Sequence, residues 1–176
     1  KSYGSTQMIN PKLSKKISKN LEGKKILVVG GAGAIGSNLI IALSQLVGLE
    51  GRIIVLDNLS SIKNKNPWNI TPLKNIMFVE GDLRSDIDLK RVFKENIDIV
   101  YHLAAFFANQ NSVDYPEISA DVDVIGHIKL LEYSRLANID KFIYASSGCA
   151  IYGSYGKLPL EEDFISMHLT TPYQIN

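Results

Sequence analysis

The sequence predicts an α/β fold: a doubly wound parallel sheet with helices on both faces. Three observations predict it. Short apolar runs alternate with helix-length segments from residue 24 onward. The first run, Lys25–Val29, feeds directly into a glycine cluster, Gly30-Gly-Ala-Gly-Ala-Ile-Gly36. The second, Arg52–Asp57, ends in a carboxylate 21 residues beyond Gly36.

Residues 1–23 read as a basic extension, with Lys12, Lys15, Lys16 and Lys19. Leu13, Ile17 and Leu21 recur every four residues, which predicts a short amphipathic helix. Lys25–Val29 is a strand, and Ile35–Val47 is a helix that opens at the last glycine of the cluster. Arg52–Asp57 is the second strand. Ser60–Leu73, rich in Asn, Ser, Lys and Pro, is a surface loop. Ile76–Glu80 is a third strand, ended by Gly81. Ile87–Asn96 is a helix with Asp86 and Asp88 at its start and Arg91 and Lys94 later, as the helix dipole favours. Ile97–Leu103 is a fourth strand, Ile118–Ala137 a long helix and Lys141–Ser146 a fifth strand. A doubly wound sheet binds ligands at the carboxyl ends of its strands. Gly30, Asp57, Asp82, Ala104 and Ser146 all follow such ends, so the order of residues points to one shared site.

The 176 residues suit one domain, residues 24–176, behind the extension. A net charge of +1 shows no bias toward nucleic acid or an anionic membrane. The longest uncharged stretch, 26–49, is broken by glycines, Asn38 and Gln45, and so reads as strand, turn and helix rather than a bilayer span. The charged amino end is not followed by an apolar segment, so no secretory signal is expected. A single cysteine, Cys149, excludes an internal disulfide and suits a cytoplasmic setting. His127 and His168 show no metal-ligand spacing with Cys149, and no metal is expected.

The glycine cluster describes a pocket for a dinucleotide. Gly30 permits the sharp turn out of the strand, Gly33 lets backbone approach a pyrophosphate, and Gly36 lets the helix pack on the strand. The helix start, at Ala34 and Ile35, offers unpaired N–H groups and a positive dipole end to phosphates. Asp57 is placed to accept from a ribose 2′-OH, with Asn58 beside it, although a strand-end carboxylate can also cap a turn. The same carboxylate repels a 2′-phosphate, which favours NAD over NADP; Lys63 and Lys65 in the loop oppose that preference. Asp82, after Gly81, is either a cofactor contact or a helix N-cap. The fold is then Rossmann-type.

The ordered motifs resemble the extended short-chain dehydrogenase/reductase family, in particular its nucleotide-sugar epimerases and dehydratases. They are Gly30–Gly36, Asp57-Asn-Leu-Ser60, Gly81-Asp-Leu83, His102-Leu-Ala-Ala105, Ser112-Val with Pro116, Asp123-Val-Ile-Gly126, Ser146-Ser147 with Tyr152-Gly153, and Pro172-Tyr173. The resemblance spans about residues 24–176 and implies NAD as cofactor and a nucleotide sugar, a UDP-sugar, as substrate. It implies that Asp82 and Leu83 flank the adenine, with Asp82 accepting from its amine. Leu103, Ala104 and Ala105 would line the cofactor, and Ser146 and Ser147 would border nicotinamide and sugar. Tyr173 would be the catalytic base, helped by a lysine at position 177, and Ser147 would assist as a hydroxyl donor. The substrate part would follow residue 176, so this cofactor part alone is expected to be inactive.

Three departures from the family pattern stand out. Gly148 occupies the position of a frequent catalytic Ser or Thr, Asp123 and His127 replace an Asn and a Thr, and Ile62 replaces a glycine. The implied reaction is C4 inversion through a 4-keto sugar. The alternatives are 4,6-dehydration, disfavoured because Gly148-Cys-Ala150 holds no acid, and a non-catalytic NAD-binding module. Phe106–Ser112 reads as a ligand-binding loop, and a homodimer through 118–137 is a family-based expectation. Cys149 is read as a small turn residue and His102 as a structural hydrogen-bonding group.

Overall fold

A run such as Lys25-Ile-Leu-Val-Val29 can hide both of its faces only between neighbours in a sheet. In the computed structural model, which describes residues 11–61, 73–107, 109–153 and 158–176, this run is β1, the central strand of a five-stranded parallel sheet. Its companions are β2 (Arg52–Asp57), β3 (Ile76–Glu80), β4 (Ile99–His102) and β5 (Lys141–Tyr144), in the order β3-β2-β1-β4-β5. The winding therefore reverses between β1 and β4, where this architecture opens a crevice. Val29 pairs with Leu56 on one side and His102 on the other, so the loops after three strands leave at one level.

The helices are α1 (Pro11–Leu21), α2 (Ala34–Leu46), α3 (Asp86–Phe93), α4 (Asn109–Asp114), α5 (Pro116–Ala120), α6 (His127–Leu136), α7 (Gly148–Tyr152) and α8 (Pro172–Ile175). Alternate residues of β1 and β2 face opposite sides, as the period of two in a strand requires. Ile26, Val28, Ile53 and Val55 pack with Ile40, Leu43 and Val47 at α2. Leu27, Val29, Ile54 and Leu56 pack with Leu89 and Val92 of α3 and Leu130 of α6. Each such fully buried side chain contributes about 1.5–3 kcal/mol. At the amino edge of the sheet, Lys24 Nζ bonds Asp140 at 2.7 Å and Asp98 at 3.3 Å, and these two acids raise its pKa, Asp140 more.

The five strands and the doubly wound order agree with the sequence reading, while several element ends differ. The helix expected over 87–96 stops at Phe93, because Asn96 turns into the left-handed region (φ 57°). The strands expected over 97–103 and 141–146 shorten to 99–102 and 141–144. The long helix expected over 118–137 is α5 and α6 joined by a π-helical turn, Asp121–Gly126. Of the loop 60–73, residues 62–72 lie outside the described residues, and Ile62, Lys63 and Lys65 with them. Among the described residues no helix is long and apolar enough to cross a membrane.

Candidate active site

Gly30 leaves β1 at φ 80°, and a Cβ there would stand 2.6 Å from the backbone nitrogen of Ala104. A Cβ on Gly36 would collide with the Gly30 carbonyl oxygen and with Gly31. Both glycines are therefore required by close backbone approach. Gly33 differs: within 4 Å its Cβ would meet only the Gly30 oxygen, at 3.4 Å. The space beside Gly33 is open, and the exposed Ala34 and Ile35 begin α2 next to it. An open cradle at a helix N-terminus suits a diphosphate.

Asp57 is buried at the tip of β2 and holds two backbone groups. Its Oδ2 accepts the Ala32 N–H (2.9 Å), and its Oδ1 accepts the Leu59 N–H (2.8 Å). This turn-capping role leaves room for the expected ribose contact, because a carboxylate has about four acceptor sites and two remain. Asp57→Ala is expected to raise the Kd for NAD about tenfold or more, since bonds to a charged group contribute roughly 1.5–3 kcal/mol. Calorimetry measures it, and unchanged affinity removes Asp57 from the ribose role.

Asp82 is not the N-cap of α3; Ser85 is, accepting the Asp88 N–H. Asp82 takes four donors instead. Its Oδ1 accepts the Arg84 N–H and Nε–H, both at 2.9 Å, and its Oδ2 accepts Arg84 Nη2 and Asn58 Nδ2, both at 2.8 Å. The Arg84 guanidinium holds the Asp82 pKa down at about 2. The acceptor role expected for Asp82 toward an amine thus requires one of these donors to give way. Arg84 also bonds Asp121, so it ties the loop after β3 to the π-helical turn. Asn58, Glu80, Gly81, Asp82 and Asp88 line an open cleft of about 410 Å³ here. Leu83 is buried against Gly126, where a Cβ would come within 2.5 Å of Leu83 Cδ1.

Beyond β4, Leu103 and Ala104 are half-buried against opposite faces of the sheet, and Ala105 is exposed. The expected loop 106–112 is partly helix, α4, and its polar residues are largely engaged. Gln110 bonds Asp114, Asn111 bonds the Phe107 carbonyl, and Asn109 Oδ1 accepts from Thr171. Ser112 is fully buried: its hydroxyl donates to the Asn109 carbonyl and accepts the Tyr173 N–H at 3.0 Å. It is therefore an anchor for α8 rather than a sugar ligand. Asp123, raised in pKa by burial, accepts the Phe106 N–H (2.7 Å) and the Ser119 hydroxyl (3.1 Å). Tyr173 is half-buried, with its ring edge-on to Phe107 (6.4 Å, 87°). Ser146 is exposed, whereas Ser147 opens α7, half-buried, with its Oγ 3.1 Å from Cys149 Sγ.

Arg84 and Gln174 were missed by sequence reasoning, because neither carries a spacing signal. His102 also differs from expectation. It stacks on His127 (5.1 Å, 17°), and among the described residues the Nδ1 atoms of both lack a hydrogen-bond partner. Burial, with a smaller contribution from His127, lowers the His102 pKa to about 4. An unfolded histidine titrates near 6.5. Between these values the unfolded chain binds the extra proton, so this stability is fully present above about 6.5 and is lost as pH falls toward 4. The loss is roughly 3 kcal/mol. Urea unfolding at pH 7 and 4.5 measures it: His102→Phe is expected to lose much less on acidification, and equal losses would assign the effect elsewhere.

Comparison with known proteins gives a consistent result. The model of the NAD dependent epimerase/dehydratase family matches residues 26–176. A putative UDP-glucose 4-epimerase of Methanocaldococcus jannaschii is 42% identical over 139 residues, covering 78% of this chain and 43% of the relative. An epimerase structure from Methanothermobacter thermautotrophicus superposes with a TM-score of 0.85 at 48% identity, covering 94% of this chain and 48% of that one. A Thermotoga maritima UDP-glucose 4-epimerase, solved with UDP-glucose, gives 0.74 at 37% identity over 86% of this chain and 47% of its own. The chain thus spans about half the length of these relatives. The family is NAD-dependent, in line with the cofactor read from the glycine cluster and Asp57. With the sheet order, the glycine cradle and a family match over most of its length, the chain belongs to the NAD-dependent epimerase/dehydratase family.

Proposed function

We propose that the full-length protein inverts the configuration at C4 of a UDP-sugar, with NAD as its cofactor. The observation that carries this reading is the meeting of two hydroxyl-bearing turns, α7 behind Ser147 and α8 with Tyr173, at the edge that also carries the glycine cradle and Asp57. The relatives named UDP-glucose 4-epimerases support it. The N–H groups at Ala34 and Ile35 would hold the diphosphate, Asp57 the adenosine ribose, and Leu103, Ala104 and Ala105 the wall beside the cofactor. Bound NAD supplies the hydride acceptor and donor for C4. Tyr173 takes the proton of the 4-OH and returns it after the keto sugar has turned, while Ser147 holds O4 by a hydrogen bond. A phenol ordinarily titrates near 10. A base at pH 7 therefore needs a neighbouring cation, the role the family resemblance gives to a lysine at position 177.

α7 offers no carboxylate, which favours epimerisation over loss of water across C5–C6. Ile118, Ile125, Ile128 and Leu131, each about half exposed along α5–α6, support a homodimer across that face. The test is proton NMR of UDP-sugars incubated with the full-length protein and NAD. Inversion at C4 is expected, and no exchange with any UDP-sugar overturns the reading.

A further inference from the structure

α8 is a single helical turn and cannot hold its own position by backbone bonds alone. Ser112 anchors it beneath Tyr173, and a second anchor is the neighbouring side chain, Gln174, which is 7% exposed. Gln174 Oε1 accepts the Thr170 N–H (2.7 Å), the Thr170 hydroxyl (3.1 Å) and the Thr171 N–H (3.2 Å). Its Nε2 donates in the opposite direction, to the Cys149 carbonyl at 3.3 Å, inside α7. Among the described residues no other side-chain hydrogen bond joins α7 to α8. The Cys149 carbonyl already accepts the Gly153 N–H at 3.1 Å, so the bond from Gln174 does not rescue an orphaned group. A cap for α8 needs only the oxygen end of this amide. The nitrogen end has a different effect: it fixes one hydroxyl-bearing turn against the other.

We propose that Gln174 is a positioning residue that sets the spacing between the Ser147 hydroxyl and the Tyr173 phenol. The inference rests on the proton-handling roles given to these two residues under Proposed function. A carboxylate at position 174 keeps the acceptors but cannot donate to a carbonyl at neutral pH, and an apolar side chain does neither. Small displacements of reacting groups are costly, about 10²-fold for 1 Å.

The test uses the full-length protein with Gln174→Met and the isosteric Gln174→Glu, each also combined with Ser147→Ala. C4 inversion, NAD affinity and Tm are measured for all. Both single variants are expected to lower kcat about tenfold or more with the Kd for NAD within about twofold. In the Ser147→Ala background the further loss is expected to shrink below about threefold, because the spacing then has no hydroxyl to serve. Losses that multiply independently overturn the proposal, as does a folded Gln174→Glu with wild-type kcat. Absence of exchange by the wild type sinks the functional reading and this inference together. Equal exchange by wild type and Gln174→Glu sinks the inference alone.

Discussion

Tyr173→Phe in the full-length protein is expected to lower C4 inversion about 10²–10⁴-fold, the usual range for removing a general acid–base group. NAD affinity and Tm are expected to stay near those of the wild type. The structure separates the two effects. The backbone of Tyr173 is held through its N–H on Ser112, and its ring meets Phe107 edge-on, and phenylalanine keeps both contacts. Among the described residues no hydrogen bond to the phenol oxygen is lost with it. An NMR time course of a UDP-sugar, with calorimetry of NAD binding on the same preparations, measures both quantities. Wild-type turnover by the phenylalanine variant would assign the proton transfer to another group.

The second large effect concerns two glycines of one loop that ought to fail in different ways. Gly30→Ala forces a side chain into the left-handed region and against the backbone of Ala104. Strain of about 1–2 kcal/mol from the backbone and about 1–3 from overpacking follows. For a chain of this size that lowers Tm on the order of 10 °C. Gly33→Ala meets only the Gly30 oxygen at ordinary contact distance, so its Tm is expected within about 2 °C of the wild type. Yet its methyl group occupies the open side of the cradle, and NAD affinity is expected to fall about tenfold or more. Thermal unfolding paired with calorimetry distinguishes them. A Gly33→Ala protein that binds NAD normally would show that the diphosphate does not lie over this loop.

The parallel sheet was legible because its signals are local. Apolar runs between glycines, and a carboxylate at the end of β2, are visible without knowledge of any contact. Tyr173 enters the candidate site only through the resemblance, since a tyrosine after Thr170-Thr-Pro172 carries no periodicity. The partners that organise the site were not legible. Ser112 and Tyr173 meet across 61 residues, and Gln174 and Cys149 across 25. Such pairs arise from the folding of α4, α7 and α8 onto one another, which no spacing rule encodes. Polar residues such as Asn111 and Ser112 read as ligands in a list of residue types, whereas in the fold the exposed Asn111 bonds the Phe107 carbonyl and the buried Ser112 fastens α4 to α8.

The wide turn at Asp121–Gly126 determines the rotational phase of everything after it. One residue advances an α-helix by about 100°, so the looser winding there dials α6 to a setting that an unbroken helix would miss. Gly126 against Leu83, His127 against His102 and Leu130 in the apolar interior all depend on that setting. Inserting or deleting a single residue in this stretch would therefore swing three contacts off target at once, a penalty that no point substitution on the helix surface would match.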